Sequence, residues 1–316
     1  MGFEIPKINY SGKIKEITLG VGTKAVTIGG ETSYPFYLFE GAMPRKPKIA
    51  MEVYDYAPDD WADAVMVPFK DVIGNPADWA KKNVDVYGAE IIALQLGSID
   101  PNGINRSLKE AVETAKSVIN AVDVPVVLWG VGNHEKDTEV LRAVSEQCAG
   151  KNLVIGPVED GDYKQIGAGA IAYKHIIAAT SPIDVNLAKQ LNILLGNLGV
   201  TESQIMIDPT TGPLGYGLEY TYSVMERIRM AALTQEDDKL QYPIICNIGI
   251  EAWKIKEART PQSEAPLLGD AKKRGILIEC VTAMSLLLAG ADVLVLRHPD
   301  SVKLIKSMID KMTVAE

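Results

Sequence analysis

Short runs of aliphatic and β-branched residues recur along the chain, at 48–53, 89–96, 126–130, 153–156, 175–179, 204–207, 244–248 and 292–296. Between them lie longer stretches in which apolar residues return every three to four positions. Leu108, Val112, Ala115, Ile119 and Val122 form one such face, and Leu187, Leu191, Leu194, Leu195 and Leu198 another. A period of 3.6 puts those positions on one side of a helix, whereas continuous apolar runs of four to eight suit strands buried on both faces. Eight strand–helix units in succession predict an α/β fold, a closed (β/α)8 TIM barrel. Gly88-Ala89-Glu90 before the second run is echoed by Gly290-Ala291-Asp292 before the eighth, each glycine suited to a left-handed helix end.

A different pattern precedes the barrel. Ile17, Leu19 and Val21 alternate with polar neighbours, as do Val26 and Ile28 beyond Gly20 and Gly22. That period of two predicts a β-hairpin extension. Residues 1–46 are expected to form this hairpin and a proline-rich lead-in closing the barrel bottom, with 47–316 forming the barrel itself. No linker marks a second globular unit. In such barrels the working residues sit at the C-terminal strand ends and in the loops that follow.

Composition narrows the function. Hydrophobic residues make up 47% of the 316, and 41 acidic against 32 basic side chains leave a net charge of −9. A nucleic-acid partner is therefore not expected. Residues 1–10 show no basic segment followed by an apolar core, and the apolar run 275–296 is broken by Glu279, Gly290 and Asp292. The expectation is a cytoplasmic protein with no membrane association.

Little catalytic hardware is visible. Cys148, Cys246 and Cys280 are scattered with no CxxC pair, which argues against an iron–sulfur cluster or zinc site in this chain. Cys246 reads as a small apolar residue within a strand. His134 and His298 follow strands and could meet at the mouth, with Asp55, Asp59 or Asp60 completing a metal site, although such acids are more often solvated. Glu52, Asp55 and Gln95 could form an acid–base set, but nothing places a nucleophile beside them. No metal and no catalytic residue is assigned.

The most distinctive window follows the sixth strand, Asp208-Pro209-Thr210-Thr211-Gly212-Pro213-Leu214-Gly215-Tyr216-Gly217. Its glycines and prolines make a stiff loop whose backbone can approach a flat ligand. Lacking lysine, it is a poor phosphate cradle. Trp129 and Asn133 after the third strand, and Asn247 and Gly249 after the seventh, complete a mouth of amides, hydroxyls and glycine backbone. Asp208, Thr210, Thr211, Gly212, Asn247, Gly249, Trp129 and Asn133 are thus the candidate ligand-binding residues. The segment from Gly249 through Pro261, Pro266 and Gly269 to Lys272 is longer than most connections, and is expected to contact a partner or shield a cofactor.

Four segments carry a family resemblance: Asp208 through Tyr220, Ile244 through Gly249, Pro47 through Asp55, and Ala289 through Pro299. Across essentially the whole chain, the sequence resembles the small subunit of the corrinoid/iron–sulfur protein of the acetyl-CoA pathway, a family similar in fold to pterin-binding barrels. The resemblance implies a methyl carrier in which a cobalt corrinoid of the cobalamin type lies at the interface with a large subunit. It implies that the large subunit holds the iron–sulfur cluster, so that none is needed here. It further implies a methyltetrahydrofolate methyltransferase as methyl donor and acetyl-CoA synthase as acceptor. The competing expectation is a free-standing pterin-binding methyltransferase, in which Asp208 and Asn247 meet an aminopyrimidine edge.

Overall fold

The computed structural model describes residues 4–313. A two-stranded antiparallel ribbon, β1 (Ile17–Leu19) and β2 (Val26–Ile28), pairs Ile17 with Ile28 and Leu19 with Val26. Eight parallel strands follow: β3 (Lys48–Tyr54), β4 (Ile91–Gln95), β5 (Val126–Trp129), β6 (Val154–Val158), β7 (Ile176–Thr180), β8 (Ile205–Asp208), β9 (Ile245–Asn247) and β10 (Val293–Leu296). Hydrogen bonding runs β8-β7-β6-β5-β4-β3-β10-β9. A bridge between Ile207 and Ile244 closes the ring, the Ile207 N–H donating to the Pro243 carbonyl at 2.8 Å. The barrel is thus nearly continuous, with its weakest seam between β8 and β9.

The helices are α1 (Asp63–Met66), α2 (Pro76–Asp85), α3 (Leu108–Ala121), α4 (His134–Gln147), α5 (Tyr163–Tyr173), α6 (Val185–Leu198), α7 (Leu218–Thr234), α8 (Ile248–Ala252), α9 (Lys256–Arg259), α10 (Ala271–Leu288) and α11 (Pro299–Met312). Their starts follow from local chemistry. Ser107 and Glu110 form a reciprocal capping box at α3, and the Asp184 carboxylate accepts the N–H groups of Asn186 and Leu187 at α6. Gly88 and Gly290 adopt φ of +68° and +109°, as the repeated Gly-Ala-acid entries predict.

Side-chain alternation along each strand divides the interior in two. Met51, Val53, Leu94, Leu128, Ile177 and Ile207 face outward against the helices. Ala50, Ala93, Val127, Ala178, Met206 and Val295 face inward and pack with Ile17, Leu19 and Ile28 of the ribbon. The ribbon is bonded to the N-terminal side of the strands: the Asn152 amide, just before β6, donates to the carbonyls of Thr18 and Gly20. One inward position is empty of side chain for a reason. A Cβ on Gly156 would stand 2.8 Å from that of Ala178 and 3.1 Å from the Trp129 indole.

Three sequence expectations need correction. Val21 does not extend the first strand; it is exposed and opens a 3-10 turn over Gly22–Lys24. The fourth barrel strand does not stop at Gly156, because it resumes pairing through Val158 after a register shift. The long segment after the seventh strand is not one loop: it holds α8, α9 and a 3-10 turn at Pro266–Leu268. Short helices of one turn leave too few residues for a period to be read.

Candidate functional site

The inward positions turn from apolar to polar toward the C-terminal ends of the strands. Glu52, Gln95, Thr180, Asp208 and Asn247 are all buried there, with Trp129 beside them. Together with Tyr54, Tyr56, Thr210, Thr211 and Lys254 most of these line a cavity of about 530 Å³ in the barrel mouth. That size falls within the range of small-molecule sites.

An amide pair lies across its floor. The Gln95 side-chain nitrogen donates to the Asn247 oxygen at 3.1 Å, joining β4 to β9 across two intervening strands. On the far wall, the Thr180 hydroxyl donates to one Asp208 oxygen at 2.9 Å, and the Thr210 N–H donates to the other at 3.2 Å. Burial nonetheless dominates and pushes the Asp208 carboxyl up to about 7, so protonated and ionised forms are both populated near neutral pH. A protonated carboxyl can donate as well as accept.

The loop after β8 is held by two threonines from different helices. The Thr221 hydroxyl accepts from the Gly212 N–H at 2.8 Å and donates to the Thr210 carbonyl at 3.0 Å, while the Thr282 hydroxyl accepts from the Leu214 N–H at 3.0 Å. Thr210 sits at φ of +62°, a left-handed conformation costly for a β-branched residue, and its hydroxyl is spent on the Ser181 carbonyl. Thr211 differs. Its hydroxyl is fully buried beside the Cys246 thiol, with no nitrogen or oxygen partner.

Of the eight sequence candidates, Asp208, Thr210, Thr211, Asn247 and Trp129 line the mouth. The other three do not. Asn133 caps α4, its side-chain oxygen accepting from the Lys136 N–H. Gly212 is pressed against the Gly217 carbonyl, and Gly249, inside α8, lies against Arg297 and Glu52. The proposed metal group is also taken apart: the His298 ring is buried and accepts from the Asp300 N–H, His134 pairs with Asp162 at 3.0 Å, and Asp55 holds Ser98. Among the described residues no cluster of three or more His, Cys, Asp or Glu side chains could hold a metal ion.

Sequence reasoning missed a buried ion pair beneath the mouth. The Arg297 guanidinium bonds Glu52 and donates to the Tyr54 hydroxyl at 3.1 Å, and it stacks 3.9 Å from the Trp61 ring centre. Glu52 is therefore an anchor for Arg297, not a free base, and Asp55 does not line the mouth. The available signal was a lone arginine directly after an apolar strand. Thr180, last residue of its strand, was likewise identifiable from the period of two.

Three comparisons bear on the chain. The profile of the family described as CO dehydrogenase/acetyl-CoA synthase delta subunit matches residues 16–314. The acetyl-CoA decarbonylase/synthase complex subunit delta of Archaeoglobus fulgidus is 37% identical over 98% of this chain and 71% of its own length. That of Methanothermobacter thermautotrophicus is 34% identical over 98% and 79%. Among solved structures, Xanthomonas albilineans dihydropteroate synthase with 4-aminobenzoic acid superposes with a TM-score of 0.59 at 12% identity, covering 95% of this chain and 100% of that one. The Thermus thermophilus dihydropteroate synthase gives 0.55 at 13%, over 93% and 99%. At such identities these structures speak to the barrel fold.

Proposed function

The chain belongs to the CO dehydrogenase/acetyl-CoA synthase delta subunit family, and on that premise we propose that it is the small subunit of a two-chain methyl carrier. In this reading it takes part in moving a methyl group from methyltetrahydrofolate, through a methyltransferase, to acetyl-CoA synthase. Its barrel mouth covers part of a cobalt corrinoid carried mainly by a large subunit. A reduced corrinoid, when bound, supplies the nucleophile for methyl transfer, and the protein supplies orientation and shielding.

The mouth fits part of such a group. Its lining has flat aromatic walls in Trp129, Tyr54 and Tyr56, and an amide floor in Gln95 and Asn247 suited to the amide fringe of a corrin. The joined amide pair of Gln95 and Asn247 on the cavity floor is the single observation that carries the reading: two buried side-chain amides from opposite sides of the barrel brought to one polar floor. No imidazole or thiolate is among the lining residues, so a cobalt ligand is not assigned to this chain. The Asp208 carboxyl and the Asn247 amide then serve as polar contacts.

The test is retention of cobalt by the two-chain complex. Gln95→Leu with Asn247→Leu removes both floor amides together, leaving neither unpaired; it should lower the cobalt bound per complex while the chain still folds and associates. Unchanged cobalt content and unchanged methyl transfer count against the assignment.

The second reading, a methyltransferase that itself binds the folate, is favoured by the convergence of Asp208 and Asn247 on one cavity. It requires tight binding of methyltetrahydrofolate by this chain alone.

A further inference from the structure

Beyond its basic first turn, helix α10 carries apolar residues on its exposed as well as its buried side. Its inner side, including Ile276, Ala283, Leu286 and Leu287, is buried against the barrel. Yet Leu277, Val281 and Leu288 point outward at spacings of four and seven, and Leu277 and Val281 are 58% and 43% exposed. A helix apolar all round is normally covered on both sides. The neighbouring α11 is joined to α10 through Lys272 and Asp300 at 2.9 Å, and it adds the exposed pair Leu304 and Met308 one turn apart.

Charge around this strip is opposite to that of the molecule. The exposed carboxylates of α11 are already occupied, Asp300 by Lys272 and Asp310 by Lys46. Lys273, Lys303, Lys306 and Lys311 have no carboxylate within 4 Å among the described residues, in a chain of net charge −9. On the far side of α11, Lys303, Lys306 and Lys311 border an open groove of about 840 Å³ whose wall includes the exposed Val86. Two copies of this chain meeting through the strip would bring the unpaired lysines together, which disfavours self-association.

We propose that the outer face of α10 and α11 is the seat of a permanent partner subunit, which presents an apolar helix face flanked by carboxylates. The inference rests on the reading of this chain as one subunit of a two-chain carrier. It adds a location: the partner grips the outside of the last two helices as well as meeting the mouth. Exposed apolar strips rimmed by charge mark such contacts.

The experiment co-expresses the full chain with the large corrinoid-bearing subunit of the same organism. Leu277→Glu with Val281→Glu should leave the unfolding midpoint of the separate chain nearly unchanged, because both side chains face solvent, and should weaken association at least about tenfold. Lys303→Glu with Lys306→Glu should weaken it in a salt-dependent way. Backbone amides of residues 273–288 and 303–312 should exchange more slowly in the complex. Association of both variants at wild-type affinity, without that protection, overturns the location and leaves the carrier reading standing. Failure of the unaltered chain to associate overturns both. A dimer of this chain alone, dissolved by the α10 substitutions, assigns the strip to self-assembly and overturns the proposal.

Discussion

Asp208 combines full burial with a carboxyl raised to about 7, and that combination has a measurable sign. An acid whose folded pKa lies above its unfolded value of roughly 3.9 keeps its proton longer in the folded state, so stability falls as pH rises from about 4 to about 7. Asp208→Asn removes the ionisation; its oxygen can still accept the Thr210 N–H, and its NH2 can donate to the Thr180 hydroxyl, which rotates to accept. The variant should therefore unfold at higher temperature than the parent at pH 8.5, with the advantage shrinking progressively toward pH 4 in thermal melts. An equal difference at both pH values contradicts the assignment. Gly156 permits a second test: a methyl group there meets Ala178 and the Trp129 ring. Gly156→Ala should cost about 1–3 kcal/mol in denaturant unfolding and perturb the mouth through the indole. Residue chemistry was only partly legible. Asp208 and Asn247 could be placed because each is the last inward position of its strand, set by a period of two. The Glu52–Arg297 pair could not, since its partners lie 245 residues apart and meet only when the barrel closes.

Among the elements, the barrel strands were plain in the sequence because parallel strands buried on both faces read as unbroken apolar runs. Their ends were not. The shift at β6 and the one-turn helices α8 and α9 depend on pairing and packing, which leave no local period. The ribbon offers the sharpest test of how elements support each other. Ile17 and Ile28 are opposite one another and bury their side chains with the inward residues of the barrel. Ile17→Ala should cost about 2–4 kcal/mol, much more than an exposed truncation such as Val21→Ala on the adjacent turn. Equal, small effects in urea unfolding would show that the ribbon is not part of the barrel core. At α3, Ser107→Ala removes the capping box and should cost about 1 kcal/mol by the same measurement.

The whole molecule is a nearly closed barrel whose apolar lower interior gives way to a polar mouth. Its last two helices carry an uncovered apolar strip outside. The mouth sets the Asp208 carboxyl and the amides of Gln95 and Asn247 around a cavity. Among the described residues no helix is long and apolar enough to cross a membrane. Relatives named as subunits of an acetyl-CoA decarbonylase/synthase complex fit a chain that works in company. The most direct test is cobalt content and visible absorbance of this chain purified alone and after co-expression with the large subunit. The carrier reading predicts corrinoid in a stoichiometric two-chain complex and little on the single chain. A colourless single chain that binds methyltetrahydrofolate tightly and methylates free corrinoid would contradict it.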